Sequence, residues 1–112
     1  MKLDAIKATG IELTEAITAA VDHTLGRLSK LTDRFGEAVS VHVEVGKSTN
    51  HHKKGPFFRA EINIRVPKRL IRAEAEHEDL YAAIEKVEDE LKGELKKEKE
   101  KYLDQRKGSA KE

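Results

Sequence analysis

Residues 57–95 read FFRAEINIRVPKRLIRAEAEHEDLYAAIEKVEDELKGEL, and the architecture follows from the changes of period within them. At the start every second residue is apolar (Phe58, Ala60, Ile62, Ile64, Val66), while Arg59, Glu61, Asn63 and Arg65 alternate with them. Strand side chains point to opposite faces in turn, so this pattern means one covered and one wetted sheet face. Pro67 has no amide hydrogen and stands where the run stops, which suits a turn or the start of an edge. A second run returns with Ile71, Ala73 and Ala75 on one parity and Leu70, Arg72, Glu74 and Glu76 on the other. From Asp79 the spacing becomes three and four: Leu80, Ile84, Val87, Leu91 and Leu95 form one stripe of a helix. Asp79 fits the cap or first turn, where a negative charge suits the amide end. The stripe must cover the sheet face carrying Ile62 and Ile64, because neither surface is stable in water alone.

Upstream, Val39, Val41, Val43 and Val45 alternate with Ser40, His42 and Glu44, which predicts another strand with a covered β-branched face. Before it, Ile17, Val21, Leu25, Leu28 and Leu31 recur every three or four residues, and Thr14 is placed to cap that helix. Gly26 lies inside it, either packed closely on the sheet or tolerated at the surface. Lys2 to Ala8 reads as a first strand with imperfect alternation around Leu3 and Ile6, ended by a turn at Thr9-Gly10. Gly46 to Pro56 is polar and aperiodic, a loop or loose hairpin tip. The expected fold is α+β in the order β-α-β-β-β-α: a four-stranded sheet with two helices packed on one face, resembling a double-stranded RNA-binding domain. Residues 1–103 form one domain, and 104–112 a flexible polar tail.

The 112 residues contain no cysteine, which removes disulfides, thiol nucleophiles and thiolate metal sites and fits a reducing cytoplasm. No apolar run approaches the roughly 20 residues of a membrane span, and Met1-Lys2-Leu3-Asp4 opens no signal peptide. Net charge is only +1, but it is unevenly spread. Lys47 to Arg72 holds eight Lys or Arg against Glu61 alone, and Ala73 to Glu90 eight acids against Lys86 alone. From Leu91 onward, eight bases face five acids. A neutral total can hide a local patch able to dock phosphates; the alternative is an ordinary solvated surface.

Residues for catalysis do not converge. His51-His52 has no spaced third ligand, so no metal site is expected. His77-Glu78-Asp79 lacks the second histidine of a zinc-protease motif, and Gly10, Gly26 and Gly46 make no phosphate cradle. Neither an enzyme, a cofactor nor a small-molecule substrate is expected. The basic residues offer more. His23, Arg27, Lys30 and Arg34 recur at four, three and four, predicting a basic ridge on the first helix opposite its apolar stripe. Lys92, Lys96 and Lys99 recur on the second helix, with Lys97 and Lys101 alongside, although Glu88, Glu94, Glu98 and Glu100 can pair with them. Lys53 and Lys54 add charge from the loop. Arg59, Arg65 and Arg72 are expected on the sheet face left to solvent or a partner. Tyr81 could stack on a base, or pack half-buried beside Ile84.

Two stretches, Gly10-Ile11-Glu12-Leu13-Thr14-Glu15-Ala16-Ile17 and Ala75-Glu76-His77-Glu78-Asp79-Leu80-Tyr81-Ala82-Ala83-Ile84, resemble the ribosome hibernation-promoting factor family, also called ribosome-associated inhibitors or sigma-54 modulation proteins. The second is close to that family's Asp-Met-Tyr-Ala-Ala-Ile signature, and the likeness runs to about Lys101. The resemblance implies a cytoplasmic monomer that binds the small ribosomal subunit and its rRNA in the decoding region. There it blocks messenger and transfer RNA under stress. It implies basic contact positions at Arg27, Lys97 and Lys99, and signature positions at Asp79 and Tyr81. Thr24, Glu90 and Gly93 stand where relatives often carry Lys or Arg, and Glu94 replaces a frequent glutamine. Contacts are then expected to shift toward Lys30, Lys92, Lys96 and the Lys47 to Lys54 loop. With no appended module, the chain resembles a short form. The rivals are a free structured-RNA binder and an assembly module pairing through the acidic stretch from Glu74 to Glu90 or an open strand edge.

Overall fold

Strand β1 (Lys2–Thr9) leads through helix α1 (Glu15–Ser29) to β2 (Ser40–Lys47), β3 (Phe58–Val66), β4 (Arg69–His77) and helix α2 (Leu80–Ala110) in the computed structural model. The structure describes residues 1–48 and 57–110, and of these it leaves undescribed the side chains of residues 34, 37 and 102–110. Sheet order is β1-β2-β3-β4. A parallel pair needs a crossover connection, and α1 supplies it between β1 and β2; the remaining pairs are antiparallel neighbours. The register Ile62↔Ala73 and Ile64↔Ile71 places the alternating residues of β3 and β4 on one face, as their parity predicts.

That face meets the helix stripes. Val39, Val41, Val43 and Val45 lie in one core with Ile62, Ile64, Ile71, Val21, Leu28, Val87, Leu91 and Leu95. Thr14 caps α1 as predicted, its hydroxyl accepting from the Ile17 amide at 3.2 Å. Asp79 does the same for α2, accepting from the Tyr81 amide at 2.9 Å, while its own amide donates to His77 Nδ1 at 3.0 Å. The imperfect alternation of β1 has a structural cause: its register against β2 slips between Leu3 and Ile6, which leaves Leu3 exposed. Gly26 is exposed, with open space where a Cβ would stand, which decides for a tolerated surface glycine.

Two tight connections are conformationally demanding. Between β3 and β4 the chain turns over Pro67 and Lys68, and Lys68 adopts φ 68°. A fixed proline φ followed by a positive φ is the dihedral order of a type II turn, usually closed by glycine. At the other end of the sheet Gly46 lies so close to β1 that a Cβ on it would sit 2.3 Å from the Thr9 carbonyl oxygen. Residues 104–110, expected to belong to a polar tail, continue α2 as helix.

Candidate nucleic-acid interface

The positions that carry the site are the polar ones inside the helix stripes. Val21, Thr24, Leu25 and Leu28 follow the spacing of a buried helix arc, and so do Ile84, Val87, Glu88 and Leu91; all eight are buried. The helices run side by side and parallel, so Thr24 and Glu88 meet: the Thr24 hydroxyl donates to Glu88 Oε1 at 3.0 Å. Arg27, one turn further along α1, reaches the same carboxylate with two bonds, Nε to Oε2 and Nη2 to Oε1, both at 2.8 Å. Lys92, one turn further along α2, closes on Oε2 at 2.9 Å. A buried carboxylate needs paired, hydrogen-bonded cations to remain ionised. Here the Arg27 hydrogen bonds outweigh the opposing effect of burial and hold Glu88 at a pKa of about 2. In return, chiefly through that hydrogen bond, Arg27 is raised above its ordinary value.

This corrects the expected basic ridge. Arg27 does not stand on the side of α1 opposite the core; it leans across the interhelical groove, with half of its side chain (51%) still exposed. Lys30, which caps the C-terminal end of α1, is exposed, as is His23. The side chain of Arg34 and the whole of Lys53 and Lys54 lie outside the described residues. On α2, Lys96, Lys97 and Lys99 are exposed. At about 100° per residue, Lys92, Lys96 and Lys99 stand on the flank of α2 shared with Glu88, whereas Lys97 stands about half a turn round. There Lys97 lies 3.8 Å from Glu94. Arg27 and Lys92 therefore meet on one carboxylate across the groove, where the charge of Glu85 also acts on Arg27, while Lys96 and Lys99 continue the same flank of α2 and Lys30 stands at the end of α1.

The opposite face of the sheet is closed by its own charges. Glu44, Glu61 and Glu74 lie in register across β2, β3 and β4. Glu61 is buried although it belongs to the outward parity, because Arg59 and Arg72 fold over it: Arg59 Nη2 donates at 3.1 Å and Arg72 Nη2 at 3.1 Å. Arg59 also pairs with Glu74. Burial opposes ionisation at Glu61, but these two guanidinium groups together lower its pKa. Of the three arginines expected to await a partner on this face, only Arg65 is exposed without an ion pair among the described residues. Tyr81 is 44% exposed, beside an apolar hollow lined by Ile11, Ile17, Phe58 and Leu80. Among the described residues no cluster of three or more His, Asp or Glu could hold a metal ion. No described helix is long and apolar enough to cross a membrane.

Residues 5–103 match the family model described as sigma 54 modulation protein / S30EA ribosomal protein. The chain belongs to this family. It is 35% identical over 106 residues to a ribosome hibernation promotion factor of Deinococcus radiodurans, aligning 95% of this chain and 53% of that one. It is 30% identical over 105 residues to a ribosome hibernation promoting factor of Pseudomonas putida, aligning 94% of both. The chain thus spans about half the length of the first relative and nearly all of the second. Among solved structures, the N-terminal domain of Thermus thermophilus Protein Y superposes with a TM-score of 0.69 at 31% identity, covering 87% of this chain and 98% of that one. A ribosomal subunit interface protein from Coxiella burnetii, at TM-score 0.72 and 19% identity over 88% of this chain and 98% of that one, shares the fold.

Proposed function

We propose that the protein is a non-enzymatic ribosome hibernation factor of the cytoplasm. As a monomer it occupies the decoding region of the small ribosomal subunit and blocks messenger and transfer RNA under stress. The observation that carries this reading is the meeting of Arg27 and Lys92 from two helices on Glu88, with Lys96 and Lys99 exposed further along the same flank of α2 and Lys30 exposed at the end of α1. Phosphate recognition requires cations presented together, with no base reading. Membership of a family whose named relatives are ribosome hibernation factors supports a ribosomal partner. Inhibition is by occupancy, so no cofactor or small-molecule substrate enters. Lys97, half a turn round α2, is a further proposed rRNA contact, as are Arg34, Lys53 and Lys54, whose side chains lie outside the described residues.

Sedimentation with purified small subunits across a salt series tests the reading. Binding should weaken as salt rises, because each phosphate contact releases counterions. Reversing Arg27, Lys30, Lys97 and Lys99 to glutamate should abolish it. Binding unchanged by all four reversals would remove this surface. Absence of ribosome binding together with self-association would favour an assembly role through an open strand edge.

A further inference from the structure

We propose that Glu88 is a positioning residue: it holds the Arg27 guanidinium and the Lys92 ammonium side by side as a clamp for one backbone phosphate of RNA. This rests on the ribosome-docking reading above and assigns the element within that surface that grips.

The hydrogen-bond inventory supports it. Glu88 accepts from Thr24 and Arg27 on Oε1 and from Arg27 and Lys92 on Oε2. A carboxylate has about four acceptor sites. All are taken by this chain, and the group is buried, so it neither seeks nor meets a solvent-borne ligand. Its cations are not saturated in the same way. Arg27 gives Glu88 its Nε edge and one hydrogen of Nη2, leaving its Nη1 edge free of this contact; the side chain remains half exposed. Lys92 gives one of three donors. The two heads meet at one oxygen: Arg27 Nε and the Lys92 ammonium both contact Glu88 Oε2, at 2.8 and 2.9 Å. A phosphodiester group offers two charged oxygens to such a pair, and bidentate guanidinium geometry favours it.

Positioning matters because the two cations come from different helices on long, rotamer-rich stems. Each such side chain ordered at docking costs about 0.5–1.5 kcal/mol of freedom, or about 2- to 10-fold in affinity. With the buried carboxylate in place, that ordering is complete before RNA arrives. A plain charge count gives the opposite expectation: Glu88 subtracts one charge from a phosphate-binding surface, and removing it should tighten binding.

The sign of the effect therefore decides. Binding of the full chain to small subunits would be measured for the unmodified protein, E88Q, R27Q/K92Q and the triple variant, with thermal unfolding of each. The clamp predicts that E88Q weakens binding by about 5-fold or more, and that the same change in the R27Q/K92Q background does nothing. It also predicts that R27Q and K92Q, made singly, are strongly non-additive, which needs no substitution at Glu88 and so holds even if E88Q folds poorly. Tighter or unchanged binding by folded E88Q would overturn the clamp, as would an equal loss in the R27Q/K92Q background. Failure of the unmodified protein to bind would instead overturn the docking reading itself.

Discussion

Substituting Gly46 by alanine should unfasten one end of the sheet while leaving the rest of the core intact. Gly46 is buried at the last pair of the parallel β1–β2 ladder, opposite Thr9. A methyl group there would stand 2.3 Å from the Thr9 carbonyl oxygen and 3.2 Å from its carbonyl carbon. Carbon–oxygen contacts normally settle near 3.3–3.6 Å, so about 1 Å must open against backbone rather than against a movable side chain. Overpacking of this kind costs about 1–3 kcal/mol, and each ladder hydrogen bond broken adds about 0.5–1.5 kcal/mol. The stiffer unfolded chain returns about 0.4–1 kcal/mol. The net expectation is a loss of about 2 kcal/mol, or an unfolding midpoint lower by about 8 °C for a domain of this length. Urea titration followed by circular dichroism would measure it. Hydrogen exchange should show lost protection at Ala8, Thr9 and Lys47 with β3 and β4 unaffected. A variant as stable as the parent, or more stable, would refute the close approach on which the estimate stands.

Acid should weaken the helix pair through Glu88. Its folded pKa of about 2 lies below the ordinary 4.5, so its stabilisation is complete above pH 4.5 and fades as pH falls toward 2. The full shift corresponds to about 3.4 kcal/mol, which solvent at the groove mouth reduces to roughly 2 kcal/mol; urea unfolding at pH 6 and pH 3 should show E88Q losing less than its parent. Replacing Asp79 by alanine removes the acceptor for the Tyr81 amide and should cost about 1 kcal/mol, read by thermal unfolding, with no change if the first turn of α2 is held by its packing alone.

The scaffold was legible because its signals are periodic. Ile62 and Ile64 declare a covered face by alternation, and Leu80 to Leu95 declare a helix by spacing, without reference to anything distant in the chain. The groove was only half legible. Thr24 and Glu88 occupy stripe positions that should be apolar, and such a misfit marks a buried polar contact; which residues it joins depends on the helices lying parallel, a tertiary fact. The burial of Glu61 was less accessible still. Its parity says outward, and it is covered because arginines two positions away and across the strand bend over it. Nor could spacing alone separate Lys97 from Lys99, since the inward direction of α2 has to be fixed first.

Arg69 at the β3–β4 turn reaches α2 at Glu98, at 2.5 Å, and at Glu94, at 3.4 Å. Together with the Asp79 cap, this ties the helix to the sheet at both ends of their overlap, like a beam bolted at two points. Lys96 and Lys99 lie within two residues of Glu98 on the helix that Arg69 ties down. Charge carried on such a beam meets a rigid partner with less motion to surrender than the same lysines on a loose tail.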